Sequence, residues 1–85
     1  MGCGSRSFGV VKNPATIHAF GVHLRTLRLQ QGLSQQALAD EADLSRPTVQ
    51  RVETGHLCAT LDVLASLARG LHLPLRELMD FPGAE

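Results

Sequence analysis

The 85-residue chain makes one small domain, near the size where a single hydrophobic core is only modestly stable. Hydrophobic residues make up 44% of it, but aromatics only 4%, with no Trp or Tyr, so Leu, Val and Ala must fill the core, which favours helices over sheets. The formal net charge is zero, weak for a nucleic-acid binder, and no apolar run is long enough to span a bilayer.

Residues 1–12 are rich in Gly and Ser and read as a flexible leader. Their start, MGCGSRSFG, misses the acylation pattern because Arg6 stands where Ser or Thr is needed. Asn13 followed by Pro14 predicts a helix start, with Asn as the cap and Pro at the first helical position. The first helix is expected to run to about Gln31, with Ile17, Phe20, Leu24 and Leu27 on one face and Gly32 as its stop. Ser34 caps a second helix, Gln35 to Ala42. Ser45 caps a third, with Pro47 in its first turn, that ends near Thr54 against Gly55. Thr60 caps a fourth, with Asp62 in its first turn, a buried stripe of Leu61, Leu64, Ala65 and Ala68, and Gly70 closing it. Pro74 starts a short fifth helix through Leu75, Leu78 and Met79 that stops before Pro82. The expectation is an all-α domain of five helices over residues 13–82, followed by a tail at 83–85.

Within it, Leu33 to Gly55, LSQQALADEADLSRPTVQRVETG, stands out. Leu38, Ala42, Leu44, Val49 and Val52 fit the inner faces of two short helices joined by a sharp turn, a helix-turn-helix. Ala39 is small enough for the closest crossing. Gln35, Gln36, Arg46, Thr48, Gln50 and Arg51 are left on the outside, and these types hydrogen-bond phosphates and base edges. Charge is also unevenly spread. Residues 1–33 carry Arg6, Lys12, Arg25 and Arg28 with no acid, while residues 57–85 set Arg69 and Arg76 against Asp62, Glu77, Asp80 and Glu85. Such a dipole orients a protein on DNA despite zero net charge.

Enzymatic and metal-binding readings fail on spacing. His18, His23, His56 and His72 are scattered without Cys or carboxylate partners at ligand spacing, and read as surface or loop residues. His56, beside the end of the third helix, is a further candidate for a phosphate contact. No Gly-rich elbow presents a nucleophile, and no cofactor is implied. Cys3 and Cys58 form no disulfide framework and fit a reducing cytoplasm.

From Phe20 to Phe81 the chain resembles the Xre-type helix-turn-helix regulators, which include the phage repressors and Cro. The resemblance lies in FGVHLRTLRLQQGLSQQALADEADLSRPTVQRVETG followed by TLDVLASLARGLHLPLRELMDF. It implies a lambda-repressor-like fold whose third helix, Ser45 to Glu53, lies in the major groove of double-stranded DNA. Arg46, Pro47 and Thr48 would then face base edges, with Gln50 and Arg51 beside them. Gln35 would meet a phosphate and brace the third helix, and Ser34, Ser45, Thr54 and Thr60 are candidates for phosphate contacts or caps. Arg28 and Glu53 match a structural ion pair between the first and third helices. Two positions depart from the pattern: Asp43 stands where glycine usually makes the turn, and Ala59 where the following loop often has proline.

The implied function is a sequence-specific transcriptional regulator, a repressor, in the bacterial cytoplasm and on its nucleoid. It would bind a pseudo-palindromic operator as a homodimer, with Leu73, Leu78, Met79 and Phe81 as candidates for the two-fold interface. The alternative is the antitoxin of a toxin–antitoxin operon, with a toxin as protein partner.

Overall fold

A computed structural model describes residues 13–82 of the chain. The expected leader at 1–12 and tail at 83–85 lie outside the described residues. Five helices follow one another with no strand among the described residues: α1 (Pro14–Gln30), α2 (Gln35–Ala42), α3 (Arg46–Thr54), α4 (Leu61–Leu71) and α5 (Leu75–Leu78). The main packing pairs are α2 with α4, α1 with α3, and α2 with α3, so the two motif helices are clamped from behind by α1 and α4.

Local chemistry explains most boundaries. Ser34 Oγ accepts the Ala37 N–H at 3.0 Å and starts α2; Ser45 Oγ does the same for Thr48 at 3.3 Å, and Thr60 Oγ1 for Val63 at 3.2 Å. Asn13 departs from its expected role. Its side chain makes no capping bond, and only its carbonyl serves the helix, accepting the Ile17 N–H at 3.0 Å. Pro14 alone therefore sets the start of α1.

The turn of the motif is made by Asp43, in the left-handed region at φ 59°. That conformation brings the Leu44 N–H to the Ala39 carbonyl at 2.8 Å, so the chain reverses without losing the bond. Asp pays for it sterically where glycine does not. Asp43→Gly is therefore expected to raise stability by up to about 1 kcal/mol, a net of relieved crowding against the freer unfolded glycine. A thermal midpoint a few degrees higher checks this; a lower midpoint would assign the Asp43 side chain a stabilising role.

Helix α4 is rotated from the expected stripe. Leu67, Ala68 and Leu71 are buried and Leu64 half-buried, whereas Leu61 is 70% exposed and Ala65 faces outward. The cause is Gly70, which is not the stop. It lies buried inside α4 against α2, where an added Cβ would come within 2.9 Å of the Ala42 Cβ. The helix continues to Leu71 and ends at His72, itself left-handed at φ 58°. A second close approach lies at Gly21 on α1, where a Cβ would be 2.5 Å from the Glu53 carbonyl oxygen and 2.6 Å from that of Val52. Ala39 is fully buried, but the tightest crossings belong to these glycines.

The C-terminal segment closes the core. Leu78 is fully buried and Phe81 6% exposed; the Phe81 ring lies 5.5 Å from Phe20 and stacks on His23 at 5.6 Å. This corrects two expectations. Leu78 and Phe81 are not available to a two-fold interface, because the short α5 needs both to cover α1 and α4. His23 is not a surface residue but a half-buried partner of Phe81. Leu73 and Met79 remain half-buried at the edge of the same cluster.

Candidate nucleic-acid interface

Helix α3 has two faces of opposite character. Val49, Val52 and Glu53 are buried, while Arg46, Pro47, Gln50, Arg51 and Thr54 are exposed. The exposed set recurs at three- and four-residue spacing, so it forms one continuous strip. Among the described residues the side chains of Arg46, Gln50 and Arg51 make no hydrogen bond or ion pair within the protein. Their donors are therefore free for an outside partner, and two of the three are guanidiniums suited to phosphate or guanine.

Behind this strip lies a polar clamp. Arg28 Nε donates to Glu53 Oε2 at 2.7 Å, and Nη2 to Glu53 Oε1 at 3.1 Å, a two-pronged pair whose side chains are 9% and 3% exposed. Arg28 Nη1 also donates to the Leu33 carbonyl at 2.8 Å, and Gln35 Nε2 to Glu53 Oε1 at 3.2 Å. One carboxylate thus joins α1, the start of α2 and the back of α3. Because the bonds are directional, they fix how far α3 is rotated and so which residues look outward.

The other expected contacts fall into two groups. The hydroxyls of Ser34 and Thr60 are exposed and cap their helices. Thr48 is half-buried, and its hydroxyl lies 2.7 Å from that of Ser45, closing the first turn of α3. Gln36 is drawn away from any ligand by its bond to Asp40 Oδ1 at 2.9 Å. Thr54 does not hold out its hydroxyl either: Oγ1 is 3.0 Å from the Gln50 carbonyl oxygen and 2.8 Å from His56 Nδ1. Sequence reasoning missed Arg69, whose Nη2 reaches the Ala42 carbonyl at 3.4 Å and sets a cation at the C-terminal end of α2. Among the described residues no cluster of His, Cys, Asp and Glu is placed to hold a metal ion, and no helix is long and apolar enough to cross a membrane.

Comparison with known proteins agrees with this geometry. The helix-turn-helix family model matches residues 24–78. The control protein C.BamHI of Bacillus amyloliquefaciens is 33% identical over 63 residues, spanning 73% of this chain and 78% of that protein. Among solved structures, the restriction-modification controller protein C.AhdI from Aeromonas hydrophila is 41% identical with a TM-score of 0.74, covering 75% of this chain and 97% of that one. The clp gene regulator ClgR from C. glutamicum, 24% identical with a TM-score of 0.69, shares the fold. The chain belongs to the Xre-type helix-turn-helix family. It is a DNA-binding transcriptional regulator and not an enzyme.

Proposed function

We propose that this chain is a controller of a restriction–modification system, working in the bacterial cytoplasm as a homodimer on a pseudo-palindromic operator. The observation that carries the DNA-reading part is the strip of unpaired donors, Arg46, Gln50 and Arg51, on a helix locked from behind by Arg28 and Glu53. The likeness to C.AhdI along 97% of that chain supports the biological setting. In this reading the N-terminal turn of α3 enters the major groove, Arg46 and Arg51 take guanine or phosphate, and Gln50 takes adenine. Ser34, Ser45, Gln35 and Thr60 flank it near the backbone, and the chain represses where its operator overlaps the promoter. A single short helix reads few base pairs, so two copies are needed for useful affinity. Of the expected two-fold set Leu73 and Met79 are left for pairing, and Val22, Leu29 and Leu61 are exposed apolar side chains as well. The toxin–antitoxin alternative draws no support from the relatives.

Titration against DNA upstream of its own gene, with random DNA as control, tests this reading. Arg46→Ala and Arg51→Ala are each expected to cost about 1–3 kcal/mol of specific affinity, roughly 5- to 150-fold, with helix content unchanged. Unchanged affinity in both variants would remove α3 as the reading element.

A further inference from the structure

The outward strip of α3 ends in a hydrogen-bonded pair, Thr54 and His56, that base reading does not use. Thr54 follows Gln50 by four residues and Arg46 by eight, so it continues the same strip. Its Oγ1 lies 3.0 Å from the Gln50 carbonyl oxygen, 3.3 Å from that of Arg51 and 2.8 Å from His56 Nδ1. A hydroxyl has a single proton to give. The two carbonyl oxygens can only accept; with the hydroxyl proton given to the Gln50 carbonyl at 3.0 Å, Oγ1 is left as an acceptor. In that arrangement His56 Nδ1 carries the N–H and donates to Oγ1. In the neutral ring this leaves Nε2 as a bare lone pair, which repels a phosphate oxygen; in the imidazolium Nε2 becomes a donor.

We infer that His56 is a protonation-dependent phosphate contact: oriented by Thr54, it binds the DNA backbone only as imidazolium, so DNA binding takes up a proton there. The inference rests on the placement of α3 in the major groove proposed above. Arg46 and Thr54 are about 12 Å apart along the helix, close to the width of the groove. When the Arg46 end meets base edges, the Thr54 end therefore stands at the sugar–phosphate wall. The charged and titratable groups around His56 are Arg51, His18, Glu53 and the exposed thiol of Cys58. Arg51 lies one turn back on α3 and accepts the His56 N–H through its carbonyl at 2.8 Å; His18 on α1 lies against Gly55; Glu53 is turned inward onto Arg28. Among the described residues no carboxylate pairs with His56. The anion that pairs with it comes from outside.

The test is an anisotropy titration of the full chain with a labelled random-sequence duplex, at about pH 6 and about pH 8 and several salt concentrations. Histidine changes charge between those limits. Wild type is expected to bind roughly two- to fivefold tighter per protomer at the lower pH, the range of an exposed ion pair. Its log-affinity against log-salt slope should also steepen by about 0.9 per contact. His56→Gln keeps the affinity of the higher pH and loses both effects; His56→Lys binds tightly at either pH; His18→Gln keeps both effects. Thr54→Val, which removes the acceptor at little change in shape, shrinks the pH effect. A pH response in His56→Gln equal to wild type, or one lost in His18→Gln, overturns the assignment to His56; an undiminished response in Thr54→Val overturns the orienting role. A wild type that binds neither this duplex nor the DNA upstream of its own gene at either pH instead removes the groove placement of α3, and this contact with it.

Discussion

Glu53→Ala is expected to cost about 3–5 kcal/mol, because it strands the buried Arg28 guanidinium with the Leu33 carbonyl as its remaining partner. For a domain of this size that is a large part of a total on the order of 5–10 kcal/mol, so the variant should unfold at a much lower urea concentration than wild type. Urea unfolding followed by circular dichroism reads the effect. The loss comes from an unpaired buried charge rather than from the worth of the pair, and a second variant separates the two. Replacing both partners with apolar residues of similar volume, Arg28→Met with Glu53→Leu, should restore most of the stability. Such a restored fold should still bind DNA more weakly, since α3 would lose the bonds that fix its rotation. A Glu53→Ala variant as stable as wild type would mean that the pair is solvated and the clamp mechanically idle.

Gly21→Ala is the second large effect. The new methyl would lie 2.5 and 2.6 Å from two backbone oxygens and 2.8 Å from a carbonyl carbon of α3. Backbone cannot rotate away as a side-chain tip can, so α1 and α3 must part. Overpacking of this kind costs about 1–3 kcal/mol, and the top of that range is expected because three backbone atoms obstruct the same point. The spreading also lengthens the Arg28–Glu53 bonds, so stability and DNA affinity should fall together. An unchanged urea midpoint would show that the helices do not cross so tightly.

How far the sequence could be read depended on whether a signal was local. The two motif helices were legible to the residue because Ser34, Ser45, Asp43 and Gly55 act on their own neighbours. The Arg28–Glu53 pairing could be placed only through the resemblance, since 25 residues separate its members. The face of α4 was not legible. Leu61, Leu64, Leu67, Ala68 and Leu71 offer apolar stripes on more than one side, and the choice falls to a contact with Ala42 that no periodicity contains. Gly70 misled for the same reason: a glycine near a helix end reads as a stop, whereas here its missing side chain admits another helix. Leu78 and Phe81 are apolar enough for either a core or an interface, and only packing against Phe20, His23 and α4 decides. The Thr54–His56 bond spans two residues, yet its meaning depends on the carbonyls that occupy the hydroxyl.

The glycine crossings carry a consequence for how this regulator can change over generations. Where backbone meets backbone, at Gly21 on Val52 and Glu53, helix spacing is set by main-chain atoms that every sequence shares, and at Gly70 by the backbone and the small Cβ of Ala42. Leucine-for-methionine drift elsewhere in the core can then erode or restore stability without moving the reading helix. New operator preferences can accordingly arise by exchanging the few outward side chains of α3, while the frame that aims them stays the same.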